Sequence, residues 1–235
     1  MGSEMCIRDS AYQKGFGGHF HNDNSIAALR DIPGLLIACP SNGEDAVGML
    51  RTCVAAGQVN GQVTAFLEPI ALYMTKDLHE ARDGLWSFPY QAPGFSVPLG
   101  RARIWTEGED LTIISYANGL WMSLRVAKRL EQEYGVKIRV VDLRWLNPLP
   151  VDDILAAAKA TGRVLVVDEG RRTGGIAEGV MAVIAEREPS VVMRRVAGED
   201  TFIPLGAAAN LVLVQEADIE AEAVAMLGST TEESK

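Results

Sequence analysis

The sequence of 235 residues is poor in cysteine and carries no excess of basic charge. Its three cysteines, Cys6, Cys39 and Cys53, are an odd number without the regular spacing of a disulfide framework, which favours a reducing compartment. The 22 basic residues are outnumbered by 31 acidic ones, and the formal charge is -9 at pH 7. Nucleic acids and anionic membranes bind basic surfaces, so we expect neither as a partner.

Long hydrophobic runs are also missing. No apolar stretch approaches the roughly 20 residues that a membrane-spanning helix needs, and the start of the chain lacks the charged-then-apolar pattern of a secretion signal. We therefore expect a cytoplasmic protein. The composition, 48% hydrophobic and 23% charged, is that of an ordinary globular protein, long enough for one large domain or two modest ones.

A glycine-rich segment, GFGGHFHNDNS at residues 15–25, contains two of the three histidines. Its glycines allow a sharp bend and a close approach to a ligand. If the segment is extended, His19 and His21 point the same way and line one wall. On spacing alone, two surface histidines on a turn is the better interpretation, because an HxH pair without further ligands is not a metal signature.

The residues after these histidines predict a helix start. Asn22, Asp23 or Asn24 offers a short acceptor that can cap the helix predicted for SIAALR. A histidine just before a helix N-terminus lies in a positive field, which favours the neutral imidazole and attracts an anionic substrate.

The next segment predicts a strand, a helix and a second strand. Apolar residues 35–39 indicate a buried strand, Ser41 or Asn42 caps the following helix, and Gly57 is a plausible stop. A second strand follows at residues 63–67. In open α/β sheets the functional crevice lies beyond the carboxyl ends of such strands, where Glu68 is placed. A structural glutamate is an equally good interpretation of Glu68.

The rest of the chain divides into an irregular stretch and a repeated strand and helix pattern. Residues 76–107 contain several prolines and aromatics without periodicity, which indicates a linker wrapped on a surface. Strands are predicted at residues 111–117, 136–142, 163–168 and 190–196. Helices are predicted at residues 120–134, 152–160, 174–188 and 217–227. This order predicts a doubly wound parallel sheet.

Three features of this second part invite a functional interpretation. The loop GRRTGG at residues 170–175 precedes a helix, but its spacing fits neither a Walker loop nor a dinucleotide fingerprint, so phosphate binding is the weaker interpretation. Asp168 and Glu169 are adjacent carboxylates, and consecutive strand residues face opposite ways, which argues against a shared acid/base site. The turn at residues 200–204 is best interpreted as structural.

Several motifs occur in a specific order along the chain. They are GGHFHNDNSIAALRDIPGLLIACPSNGEDAVGMLRTCVAAG, VTAFLEPIALY, LRWLNPLPVD, VDEGRRTGGIAEGV and GEDTFIPLG. Together they resemble the β subunit of the thiamine diphosphate-dependent 2-oxo acid dehydrogenases (component E1). The resemblance implies an α/β fold in which a partial parallel-sheet pyrimidine-binding domain at residues 11–75 and a linker at 76–107 precede a doubly wound transketolase C-terminal-like domain at 108–228.

The two chain ends lie outside this resemblance. Residues 1–10 match nothing in the family, and we interpret them as a tag or artefact, whereas residues 229–235 form a polar tail. Family members carry well over a third of their pyrimidine-binding domain ahead of this point. We therefore expect the chain to be truncated at its N-terminus, without the glutamate that activates the cofactor.

The resemblance also implies a chemistry. The whole enzyme carries out oxidative decarboxylation of a 2-oxo acid, branched-chain or pyruvate-like, and transfers the acyl group to the lipoyl arm of an acyltransferase (E2). His21 matches the active-site histidine of the family and would meet the substrate carboxylate or shuttle a proton. His19 has no histidine counterpart there.

The expected cofactors are thiamine diphosphate and Mg²⁺, both implied by the resemblance. Magnesium and the diphosphate belong to a partner α subunit or an upstream α-like domain, because the sequence has no GDG-type motif. The expected partners are that α component, a second β chain in a heterotetramer, and E2. This chain alone should be inactive. The alternatives are a relative of transketolase or of deoxyxylulose phosphate synthase, and a non-catalytic docking module for the acyltransferase core.

Overall fold

Strands and helices alternate along the computed structural model, which describes residues 7–9 and 25–228. The strands are β1 (Ile7–Asp9), β2 (Leu36–Ala38), β3 (Thr64–Leu67), β4 (Arg103–Thr106), β5 (Leu111–Ser115), β6 (Ile138–Asp142), β7 (Trp145–Asn147), β8 (Arg163–Arg171) and β9 (Val192–Gly198). The α-helices are α1 (Ile26–Arg30), α2 (Gly43–Asn60), α3 (Ala117–Tyr134), α4 (Val151–Thr161), α5 (Ile176–Arg187) and α6 (Glu216–Gly228). Short 3₁₀ helices cover Ile70–Leu72 and Gly206–Leu211.

The first sheet has the strand order β1-β3-β2-β7. β2 runs parallel to β3, as the predicted strand, helix and strand order requires, and every residue of the two strands is buried. β1 also runs parallel to β3. The strand β1 was not predicted. It lies within residues 1–10, which we interpreted as a tag or artefact.

The helix between β2 and β3 begins as predicted and ends later. Asn42 caps α2, because its side chain accepts a hydrogen bond from the Asp45 amide at 2.9 Å. The predicted stop at Gly57 is wrong. Gly57 stays helical, and the helix continues to Asn60, where Gly61 takes the left-handed conformation (φ 66°) that ends helices.

The second sheet is doubly wound, as predicted, with the order β4-β6-β5-β8-β9. Four of its strands are parallel, and β4 pairs antiparallel with β6 at one edge. Helices cover both faces. Residues of α4 and α5 contribute to one apolar core, and residues of α3 and α6 contribute to the other.

The stretch that we interpreted as a linker is wrapped against the second sheet. Residues 76–102 contain no helix or strand, but β4 occupies part of the predicted interval. Trp86 is buried, and its ring stacks on Trp105 with centroids 5.1 Å apart. Tyr90 differs from the expectation that the aromatics here would be covered, because it is 81% exposed, with the Arg51 guanidinium 5.7 Å from its ring.

A strand that the sequence did not predict connects the two sheets. β7 follows β6 of the second sheet after two residues, yet it pairs antiparallel with β2 of the first. Trp145 is fully buried there, and the Asn147 side chain donates to the Leu35 carbonyl at 2.6 Å. The first sheet is therefore completed by residues from the second part of the chain. None of the helices in the described part is long and apolar enough to cross a membrane.

Candidate functional site

A groove of about 740 Å³ lies at the carboxyl ends of β2 and β3. Pro40, Ser41 and Asn42, which follow β2, line one side of it, and Glu68 and Pro69, which follow β3, line the other. These two strands are parallel, so their carboxyl ends meet at one edge of the sheet. A groove therefore lies at the predicted edge, and Glu68, whose role the sequence left open, is in its lining.

The groove has a mostly apolar wall with a few polar groups. Its apolar lining consists of Ala46, Val47, Leu50, Phe66, Leu72, Met74, Trp86 and Phe88. The Tyr73 hydroxyl donates a hydrogen bond to Glu68 Oε2, so Glu68 both lines the groove and holds the turn after β3. Such a wall suits a ligand or a polypeptide segment that is largely apolar with a few polar contacts.

His21, the predicted catalytic residue, lies outside the described residues, as do His19, Asn22, Asp23 and Asn24. The helix after them starts later than predicted, because Ser25 is the N-cap residue of α1 and makes no side-chain cap hydrogen bond. α1 has only five residues. A helix this short supplies a much weaker positive field than the one we expected in front of it.

The position of α1 is nevertheless fixed against the second part of the chain. Arg30 donates to the Gly174 carbonyl at 3.2 Å and also to the Gly175 carbonyl. Ile26 is buried in the core shared with α4 and α5. The loop GRRTGG is therefore a contact between the two parts of the chain.

The groove wall rests on a buried charge network, which the sequence did not predict. Asp45, fully buried in the first turn of α2, accepts from Asn42 Nδ2 at 2.7 Å and from Arg144 Nη2 at 2.6 Å. Arg103 Nη1 lies 2.8 Å from Glu44 Oε2 and 3.5 Å from Asp45 Oδ2. These ion pairs connect α2 of the first part to β4 and the loop after β6 of the second.

Asp142, at the carboxyl end of β6, is the fully buried acid beside this network. Its Oδ1 accepts from the Arg144 amide at 3.1 Å, and its Oδ2 has no hydrogen-bond partner in the described ranges 7–9 and 25–228. Burial, followed by the negative charge of Asp45, raises the pKa of Asp142 to about 7, although Arg144 and a hydrogen bond with Ser41 act in the opposite direction. Ser41 Oγ also accepts from the Ala117 amide at 2.8 Å.

Cys39 is a fully buried thiol in the same region. Burial, then the charges of Asp142 and Glu169, raise the pKa of its thiol well above the usual value. A thiol with a raised pKa is a poor nucleophile at neutral pH, so Cys39 is a structural residue.

Asp168 and Glu169 do not form an acid/base pair in this arrangement. Asp168 is fully buried and accepts from the Tyr116 hydroxyl at 2.7 Å and from the amides of Gly170 and Ala177, both at 2.8 Å. This carboxylate occupies the N-terminus of α5. A Cβ atom at Gly175 would lie 2.5 Å from Asp168 Oδ2, so the loop is already filled where a phosphate would bind.

The turn at residues 200–204 contacts the same loop. Asp200 accepts from the Thr173 amide at 2.8 Å and from the Thr173 hydroxyl at 2.6 Å. These bonds lower the pKa of Asp200. The turn therefore has a structural use, as its sequence suggested.

The sequence contained only weak signals for the buried network. Asp142 closes an apolar strand at the edge where the groove lies, and Asp45 falls in the first turn of a helix, but acids are common at both kinds of position. No local sequence pattern predicts the role of Arg144, because its contact with Asp45 joins residues that are far apart in the chain. Among the described residues, no group of three His, Cys, Asp or Glu side chains could hold a metal ion.

The chain is similar to one family profile and to several known proteins. The family profile of the transketolase C-terminal domain matches residues 100–224. Pyruvate dehydrogenase E1 component subunit beta from Staphylococcus epidermidis is 34% identical over 222 residues, covering 90% of this chain and 63% of that protein. The subunit of the same name from Staphylococcus aureus is 32% identical over 214 residues, covering 87% of this chain and 61% of that protein. The chain thus spans about three fifths of these curated relatives.

A solved structure has the same fold. The protein described as "Split gene transketolase, inactive beta4 tetramer" superposes with a TM-score of 0.68 and 22% sequence identity, covering 93% of this chain and 65% of that one. At this identity the match supports the fold alone.

Proposed function

Because the chain belongs to the transketolase C-terminal domain family, we propose that it is a β-subunit-like part of a thiamine diphosphate-dependent 2-oxo acid dehydrogenase E1. The observation that carries this proposal is the 34% identity to a pyruvate dehydrogenase E1 beta subunit over 90% of the chain. The expected reaction is oxidative decarboxylation of a pyruvate-like or branched-chain 2-oxo acid, with acyl transfer to lipoyl-E2. A cytoplasmic location is part of the same proposal.

The described residues do not fit the diphosphate of the cofactor or its metal ion. Metal-binding clusters are absent from the described residues, and Lys76 is the one basic side chain among those that line the groove. We propose that a partner α subunit or α-like domain holds both groups, and that the active site forms between chains. A second β chain then completes a heterotetramer.

We propose that this chain contributes positioning and proton transfer. His21 lies four residues before Ser25, and α1 after it is held in place by Arg30 at the Gly174 carbonyl, 3.2 Å away. A histidine there would meet a substrate carboxylate or move a proton. The groove would receive the apolar part of the substrate or of the partner chain, against the wall formed by α2.

The test is an assay of the chain with and without an α subunit. The chain, and a hybrid in which residues 11–228 replace the matching span of the S. epidermidis subunit, are supplied with thiamine diphosphate and Mg²⁺. Carbon dioxide release from pyruvate and from a branched-chain 2-oxo acid is measured, together with turnover of a ketose phosphate. We expect 2-oxo acid turnover only with the α subunit present. Turnover of the ketose phosphate alone would instead assign the chain to the transketolases, and turnover without any partner would contradict a shared site.

Two variants of the hybrid test the assigned residues. His21→Ala should lower turnover by about 100-fold or more, the contribution of a general acid or base, with an unchanged unfolding midpoint. Ala46→Trp places an indole in the groove and should abolish turnover, whereas Ala55→Trp, on the exposed side of the same helix, should not. Full activity of both His21→Ala and Ala46→Trp would show that neither the histidine nor the groove takes part.

A further inference from the structure

The buried network contains one carboxyl group more than it has cations. Its acids are Glu44, Asp45 and Asp142, and its bases are Arg103 and Arg144. Glu44 pairs with Arg103 at 2.8 Å, and Asp45 pairs with Arg144 at 2.6 Å. Asp142 forms no ion pair within the part of the chain that the structure describes, and it shares the charge of Arg144 with Asp45.

The hydrogen bonds also distinguish Asp142 from the other acids of the network. Asp45 is contacted by Asn42, Arg144 and Arg103, whereas Asp142 has one oxygen, Oδ2, that is buried and has no hydrogen-bond partner among the described residues. A buried ionised oxygen without a donor is much more unfavourable than a neutral one. Charge and hydrogen bonding therefore both favour a neutral carboxylic acid at Asp142.

The network lies at the junction of the two parts of the chain. Ser41, in the groove wall, hydrogen bonds with Asp142 and accepts from the Ala117 amide that starts α3. Arg144 has a left-handed backbone (φ 60°), unfavourable for a side-chained residue, and it is held there by Asp142 at its amide and Asp45 at its guanidinium.

Titratable or charged groups lie near Asp142 on several neighbouring elements. They are Asp45 from α2, Arg144 from the loop after β6, Arg103 of β4, which is the strand partner of Asp142 and pairs with Glu44, Cys39 after β2, and Glu169 from β8, which acts on the same Cys39 thiol as Asp142 does. Asp45 repels a negative charge at Asp142, and Arg144, the cation that attracts such a charge, is already paired with Asp45 at 2.6 Å.

We propose that Asp142 is a proton-dependent latch: as a neutral acid it closes the junction between the two sheets, and its deprotonation introduces an uncompensated charge that loosens the junction and the groove wall at Ser41. This inference does not depend on the enzymatic role proposed above. The folded chain binds this proton more tightly than the unfolded chain does. The latch therefore stabilises the fold fully at acid pH and loses its effect as the pH rises from about 4 to about 7.

The experiment compares the full chain with Asp142→Asn, whose amide imitates the neutral acid. Urea unfolding is measured between pH 5 and pH 8. The unfolding equilibrium constant of the wild type relative to Asp142→Asn should rise by on the order of 100-fold over this range. Asp168→Asn is the matched control: it alters a buried acid whose two oxygens both have donors, and should destabilise the fold similarly at both ends of the range.

A second measurement uses the wild-type chain and therefore does not depend on whether a variant folds. In the wild-type chain, the carboxyl carbon resonance of Asp142 should titrate near neutral pH. Amide exchange at Ala117 and Arg144, corrected for its intrinsic pH dependence, should speed up over the same interval. A relative unfolding constant that changes less than threefold, or an Asp142 resonance that is already that of a carboxylate at pH 5, would overturn the proposal.

Discussion

Asp142 and Asp168 are both fully buried in strands of the second sheet that lie on either side of β5, yet their surroundings differ. Asp168 receives three hydrogen bonds, two of them from backbone amides, and closes the N-terminus of α5. Asp142 accepts a hydrogen bond from the Arg144 amide at Oδ1, has an Oδ2 that finds no partner in the described part of the chain, and lies beside Asp45. Burial alone therefore does not determine the role of a carboxyl group. The hydrogen-bond donors that contact the carboxyl group determine its role.

The comparison also separates two uses of a buried acid. Asp168 belongs to one unit, since its partners all lie in the second part of the chain. Asp142 connects two units, because Ser41 and Asp45 belong to the first part. We expect the first acid to govern stability and the second to govern how that stability depends on pH.

The largest effect is expected from Asp168→Ala. The change leaves the Tyr116 hydroxyl and the amides of Gly170 and Ala177 without their buried acceptor. We expect the free energy of unfolding to fall by about 4 kcal/mol, measured by urea unfolding at pH 7. Asp152→Ala, at an exposed position in the first turn of α4, is the control and should change it by less than about 0.5 kcal/mol. A similar loss of unfolding free energy in both variants would show that Asp168 stabilises the fold no more than an exposed acid does.

Asp45→Asn tests the other side of the comparison. It leaves the Arg144 guanidinium, whose side chain is 13% exposed, without its carboxylate, 2.6 Å away, and should lower the free energy of unfolding by about 3 kcal/mol. It also removes a charge that raises the pKa of Asp142. The titration midpoint of the Asp142 carboxyl carbon should therefore move to lower pH. An unmoved midpoint would mean that the two acids are not coupled.

The smallest effect is expected from Ser41→Ala. This variant loses the bond from the Ala117 amide at 2.8 Å and the hydrogen bond with Asp142. The free energy of unfolding should fall by about 1.5 kcal/mol, and amide exchange at Ala117 should accelerate. Ser87→Ala, at an exposed position of the same groove, is the control. Equal exchange at Ala117 in both variants would show that Ser41 does not connect the groove to α3.

Sequence reasoning succeeded where the deciding interactions are local. Asn42 was among the predicted caps of α2 because a short side-chain acceptor just before a helix is recognisable in the sequence alone. The stop at Gly57 was wrong because a glycine inside a helix is tolerated when the next turn still packs, and Gly61 serves as the cap instead. The groove beside Glu68 was predicted because parallel strands place their carboxyl ends together.

By itself, the sequence determined the buried parallel strands with the helices between them, the doubly wound second sheet and the edge at which the groove lies, since each depends on periodicity, capping and chain direction. The strands β1, β4 and β7 were not predicted. Only the tertiary structure decided that β7 completes the first sheet and that Asp45, Arg144 and Asp142 meet beneath the groove wall. The physical reason is distance along the chain: Asp45 and Arg144 are 99 residues apart. The ionisation of a buried acid depends on every charge brought next to it by folding, and no local pattern contains that information.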